Sequence, residues 1–220
     1  MGFLTSLKRW IMWRVGTWLT TRRDVAGLPT TVFNTRPDVD TERVFVRLNA
    51  ALGLIERYTP YYYRRLRRDF SQIVVQRYAC RGAYLAAQHA CLVELTFAVN
   101  PDFSEAQIAA TILHEAMHAR LHRAGVTLQS RDRAREERFC RGAEVEFGRV
   151  VPGGDVVLER ALASLDASDS DVAPVIDESL ARRRVAKADL ESLKIPRWLK
   201  RTLVRVRGLD GIDEDPDRAA

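Results

Sequence analysis

The chain is expected to fold as an α+β protein with a small sheet of about three strands, a long helix behind it, a second helix after that, and further helices at both ends. Three observations predict this. Short runs rich in β-branched and aromatic residues, Ile73-Val74-Val75, Ala83-Tyr84-Leu85 and residues 91–99, are separated by Arg81-Gly82 and Gln88-His89. Ser104-Glu105-Ala106-Gln107 then has the spacing of a capping box ahead of a long apolar segment, which announces a helix. Finally, 220 residues with 46% hydrophobic content suffice for one buried core, while 12 glycines and 8 prolines exclude collagen-like and low-complexity chains.

Taken in order, residues 4–19 place Leu7, Trp10, Ile11, Trp18 and Leu19 among Lys8, Arg9 and Arg14, a basic amphipathic helix. Residues 21–38, with Gly27-Leu28-Pro29 and Arg36-Pro37, read as a connecting loop. Asp40 or Thr41 can cap a helix in which Val44, Leu48, Ala51, Leu52 and Ile55 recur at helical spacing, and Thr59-Pro60 starts another. After the three strands, Asn100-Pro101-Asp102 forms a turn and the capped helix runs on to Gly125. A second helix spans residues 132–150 and stops at Pro152-Gly153-Gly154. Helices follow, with residues 166–171 as a polar break and a last basic amphipathic helix over residues 196–207. The expected organisation is therefore a terminal helix and linker (1–39), a core (40–152), and a helical extension with an acidic tail (153–220).

Charge narrows the partners only coarsely. The net charge is +6, concentrated at the ends: six Lys/Arg in residues 1–36 face Asp24 alone, and ten in residues 182–207 face Asp189 and Glu191. Such termini, with Trp10, Trp13 and Trp18 at one end and Trp198 at the other, suit peripheral contact with an anionic membrane face. Tyr61-Tyr62-Tyr63 beside Arg64, Arg65, Arg67 and Arg68 invites a nucleic-acid reading, but on a helix those rings point in different directions, so nucleic acid is not the expected partner. Nowhere do about 18 uninterrupted apolar residues occur, Arg14 breaks the N-terminal apolar run before a signal peptide could form, and Cys80, Cys91 and Cys140 lack a framework spacing. A cytoplasmic protein, peripheral at the inner membrane face, is the expectation.

The chemistry lies in His114-Glu115-Ala116-Met117-His118, within the capped helix. Residues four apart on a helix share a face about 6 Å apart along the axis, so two imidazoles can converge on one metal ion while the glutamate borders it. With only four histidines in the chain, a chance match at this spacing is a poor explanation. Ile108, Ile112, Leu113, Met117 and Leu121 bury the helix, and an unpartnered glutamate and two histidines there would carry a desolvation cost that a metal removes. One zinc ion is the expected cofactor. His122 lies about 12 Å further along the axis than His114 and cannot share its ion.

A catalytic zinc needs a third protein ligand and keeps a fourth position for water. In the next helix Glu136, Glu137, Glu144 and Cys140 are the candidates, and periodicity alone does not choose among them. An oxyanion donor is also needed, which Tyr84, Tyr78, His89 or an arginine could supply. Residues 91–99 are the expected strand for aligning an extended substrate.

Over residues 73–150 the sequence resembles the zincin metallopeptidases, specifically the short gluzincins, in which an HExxH helix follows a small sheet and a glutamate on the next helix completes the site. The resemblance implies a zincin-like core, His114, His118 and Glu137 as zinc ligands with Glu136 as the alternative, Glu115 as general base, and Glu144 as a supporting group. It implies hydrolysis of a peptide or protein substrate. A zinc-binding but non-catalytic sensory or interaction module is the alternative, and Cys140 or Arg141 stands where the family's clearer members carry an acidic or amide residue.

Overall fold

The computed structural model describes residues 20–126, 132–172, 178–192 and 197–206. The amphipathic segment expected over residues 4–19 and the acidic tail lie outside them. The fold is α+β, built on a mixed sheet of β1 (Thr20–Val25), β2 (Leu28–Phe33), β3 (Gln72–Gln76), β4 (Gly82–Leu85) and β5 (Ala90–Glu94), in the order β1-β2-β3-β5-β4. The inner pairs β2–β3 and β3–β5 are parallel; β1–β2 and β4–β5 are antiparallel.

Five strands replace the expected three, because residues 20–33, read from sequence as part of a loop, form a hairpin. Ala26 and Gly27 both have positive φ (51° and 73°), the turn whose twist matches two antiparallel strands. Glycine is favoured at the second position because a φ of 73° strains any residue that carries a Cβ, whereas the nearby Arg67 guanidinium is the end of an exposed side chain that can move aside. Pro29 is tolerated within β2. Val25 and Leu28 close the turn as a hydrogen-bonded pair, so the next pair, Asp24 and Pro29, needs no N–H from proline, and pairing with β3 begins only at Thr30.

Helix α1 (Thr41–Tyr58) is capped by Asp40, whose side chain accepts from Glu42 N, and α2 (Pro60–Asp69) starts on proline. The three consecutive tyrosines diverge: Tyr63 donates to Ala26 O (2.6 Å), Tyr62 donates to Glu146 (2.6 Å), and Tyr61 is exposed beneath Arg65.

The segment expected to align substrate is corrected in two respects. Residues 90–94 form an inner strand, paired on both sides, and residues 95–99 are a short helix, α3 (Leu95–Val99). Glu94 caps that helix by accepting from Phe97 N at 2.7 Å, which overrides the β-leaning composition Leu-Thr-Phe-Ala-Val. The edge strand beside the motif helix is β4.

Helix α4 (Glu105–Arg123) carries the motif. Its N-terminus has the expected reciprocal capping box between Ser104 and Gln107. Its C-terminus closes on Gly125 (φ 70°), with Val126 N donating to Leu121 O and Gly125 N to His122 O. Ala106, Ala109, Ala110, Ala116 and Ala119 are all buried, so neighbours approach closely on several sides, while Ile108, Ile112 and Leu113 each contribute about 1.5–3 kcal/mol of burial. Buried Arg47 of α1 fixes where α4 begins: it pairs with Glu105 (3.1 Å) and donates to the carbonyls of Ala98, Asn100 and Phe103.

Sheet alternation sets the two faces. Val32, Ile73, Val75, Cys91 and Val93 join the core with α1 and α4, and Gly82 and Tyr84 of β4 lie on that same side. Phe33, Gln76, Ala83, Leu85 and Leu92 face the other way, where with Tyr78 and Asp189 they line a groove of about 760 Å³. Helix α5 (Arg133–Val150) packs on α4 and then on α6 (Asp155–Asp166); α7 (Asp169–Val172), α8 (Glu178–Ser192) and α9 (Arg197–Val206) complete the described chain. Among the described residues no helix is long and apolar enough to cross a membrane.

Candidate metal centre

The site forms where α4 lies against α5, and each helix supplies its share through side chains one turn apart. His114 and His118 project from α4 with ring centroids 4.9 Å apart and Nε2 atoms 3.1 Å apart. From α5, Glu137 brings Oε2 to 3.0 Å from His114 Nε2 and Oε1 to 3.6 Å from His118 Nε2. The outward-facing ring nitrogens are each held by another carboxylate. His114 Nδ1 donates to Glu144 (2.7 Å) and His118 Nδ1 donates to Glu136 (2.9 Å).

These bonds set the chemical character of the centre. A carboxylate only accepts, so each Nδ1 carries its proton; a protonated His114 also donates from Nε2 to Glu137, and only once that proton is lost do both Nε2 atoms present lone pairs. Two nitrogens and a carboxylate, all electron-pair donors, therefore face one another. Such a group repels itself unless a cation sits within it. Ligands about 2.0–2.1 Å from a tetrahedral ion lie about 3.3 Å from each other, which the observed 3.0–3.6 Å separations match.

Without a metal a proton takes that role. Burial would lower the His114 pKa, but hydrogen bonds to Glu137 and Glu144 outweigh it and raise the value to about 9. Glu137 and Glu144 move the opposite way, the imidazolium overcoming the cost of burial; Glu144 falls to about 2. Glu144 is fully buried and also accepts from Arg141 (2.6 Å) and Arg160 of α6 (2.8 Å).

Glu115 stands apart from this network. The hydrogen bonds of the cluster run through His114, His118, Glu136, Glu137 and Glu144. The Glu115 carboxylate instead turns toward the start of β4, where a Cβ built on Gly82 would lie 3.0 Å from its Oε1. Burial raises its pKa, partly offset by the two histidines.

Cys140 is the residue that carboxylate-centred reasoning undervalues. It is fully buried one turn beyond Glu136 and Glu137, and one ligand atom each from His114, His118 and Cys140 lie within 4.8 Å of one another, a group able to hold a metal ion. Burial, reinforced by Glu137, Glu115, Glu136 and Glu144, drives its thiol pKa far up, so the metal-free protein keeps Cys140 protonated. The sequence signal was present in its i+3 spacing from Glu137.

The candidate oxyanion donors separate. Tyr78 lines the groove on the opposite sheet face. Tyr84 also borders that groove, but its ring packs on the α4 side and its hydroxyl meets His89 and His122 instead of His114 and His118. No protein-family model matches the chain, and no characterised protein or solved structure matches it either.

Proposed function

We propose that the protein is a zinc-dependent peptidase in which His114, His118 and Glu137 hold one zinc ion and Glu115 serves as general base. The observation that carries this reading is the convergence of two imidazole Nε2 atoms and a carboxylate within 3.0–3.6 Å, beside a buried carboxylate outside their network. Zinc bound there would supply a water of lowered pKa and a Lewis acid for a carbonyl.

The chain's own groups account for the remainder. Glu115, whose raised pKa favours taking and returning a proton, accepts the proton of the attacking water and delivers it to the leaving amine. Glu144 and Glu136 hold the imidazoles in the tautomer that presents Nε2. His114 and Glu144 are buried, whereas His118, Glu136 and Glu137 are half-buried, leaving the site accessible from that side. Strand β4 is an edge of the sheet beside Glu115, suited to align an extended peptide. The basic ends, including Trp198 exposed on α9, support peripheral attachment of a cytoplasmic enzyme to an anionic membrane face.

Cys140 favours a second reading. If its thiolate joins His114, His118 and Glu137, the ion is fully enclosed by protein ligands, as in structural zinc sites, and the protein is a binding module. Three measurements test the readings. Metal analysis of purified protein should find one zinc per chain, lost in His114→Ala, and Glu115→Gln should keep the zinc while peptide hydrolysis falls by about 10²–10⁴. Cobalt substitution should give a spectrum without thiolate-to-metal charge transfer. A strong charge-transfer band absent from Cys140→Ser, together with no hydrolysis by the native chain, favours the binding module; absence of stoichiometric zinc overturns both.

A further inference from the structure

The remaining two histidines of the chain also meet. Tyr84 of β4, His89 after the short 3₁₀ turn Ala86–Gln88, and His122 in the last turn of α4 come from three separate segments. The Tyr84 hydroxyl lies 3.0 Å from His89 Nδ1 and 3.3 Å from His122 Nδ1, and the two imidazole centroids are 5.5 Å apart.

The arrangement is braced from behind. Buried Phe70 packs on the Tyr84 ring with centroids 6.4 Å apart. His89 adopts a left-handed conformation (φ 47°), and its carbonyl accepts from Ser71 N (2.7 Å) and Ser71 Oγ (3.2 Å), which anchors the turn to the start of β3. His89 and His122 are exposed, so a cation can arrive from solvent.

We propose that Tyr84 Oη, His89 Nδ1 and His122 Nδ1 form a second, solvent-facing site for a borderline divalent cation. Two imidazoles and a phenol oxygen suit zinc, nickel or copper(II) and offer little to magnesium or calcium, which prefer all-oxygen shells. The 3.0 Å and 3.3 Å separations are those of neighbouring ligands about an ion with bonds of about 2.0–2.1 Å, and water completes the shell. Binding forms bonds from the metal to two nitrogens and one oxygen, and the phenol proton passes to solvent. The site does not depend on the reading of the buried centre, since it shares no residue with it.

The test is metal titration of the full chain with zinc and, separately, with magnesium. Native protein should take up a second zinc equivalent after the tight one, and magnesium should not displace it. His122→Ala and His89→Ala should lose the second equivalent and keep the first, while His114→Ala should lose the first and keep the second. Tyr84→Phe keeps the ring packing on Phe70, so it tests the oxygen without disturbing the fold: with copper(II) as probe, native protein should show a phenolate-to-copper band that this variant lacks. A second equivalent that survives His89→Ala combined with His122→Ala, or none at all in the native chain, would overturn the site and leave a hydrogen-bonded cluster only.

Discussion

At the scale of single residues, the two carboxylates behind the histidines differ in exposure, and that difference should appear in their variants. Glu144 is fully buried between His114, Arg141 and Arg160, so Glu144→Gln leaves His114 and two partly exposed guanidiniums with only a neutral amide oxygen to share and should cost about 1–3 kcal/mol, read as a lowered urea midpoint. Glu136 is half-buried and touches only the outer nitrogen of His118 among these groups. Glu136→Gln should leave the urea midpoint nearly unchanged while weakening zinc binding by about 10–100-fold. His114 adds a pH dependence. Its proton, held up to a pKa of about 9, occupies the space a metal would take, so zinc affinity should rise with pH until about 9. Calorimetry at pH 7 in buffers of different ionisation enthalpy should register about one proton released per zinc; a buffer-independent heat would contradict the assignment.

At the scale of elements, β4 and α4 are spaced by the missing side chain of Gly82. A Cβ there would lie 2.6 Å from Thr111 Cγ2 as well as against Glu115. Gly82→Ala should cost about 1–3 kcal/mol and displace Glu115, so hydrolysis should fall while zinc content is retained. The contrast between what sequence did and did not reveal is also sharpest among elements. The ends of α4 were legible because Ser104, Gln107 and Gly125 satisfy backbone groups locally. The β1–β2 hairpin was not. Its turn is Ala26-Gly27 instead of an asparagine or aspartate pair, its strands carry Thr20, Thr21, Arg22 and Arg23, and its burial comes from packing against distant α1 and β3. His114 and His118 could be paired from spacing within one helix. How Glu136, Glu137 and Cys140 face the histidines is set by the rotation of α5 about its own axis, which depends on how Met117, Cys140 and Ala143 pack between the helices. Neither helix contains that information by itself.

At the scale of the whole molecule, the shifted groups of the cluster should make stability depend on pH, and zinc bound as proposed would add to it. The folded pKa of His114 lies above its ordinary 6.5, so its contribution is complete below about 6.5 and disappears as pH rises through 9. The folded pKa of Glu144 lies below its ordinary 4.5, so its contribution is complete above 4.5 and is lost as pH falls through 2. Chelator-treated protein should therefore be most resistant to urea between about pH 4.5 and 6.5. Zinc at a hundredfold excess over its dissociation constant should add about 2.7 kcal/mol and widen that range upward, because the ion replaces the proton that high pH removes. Unfolding midpoints measured across pH with and without zinc would reveal the difference.

Arg160 gives the centre a reach beyond its two helices. It stands on α6 and donates to the same carboxylate that steadies His114, so a change in what occupies the space between the imidazoles should be felt two helices away. Amide protons of residues 155–166 should consequently exchange faster when zinc is stripped, making that distant segment a reporter of occupancy that needs no substrate.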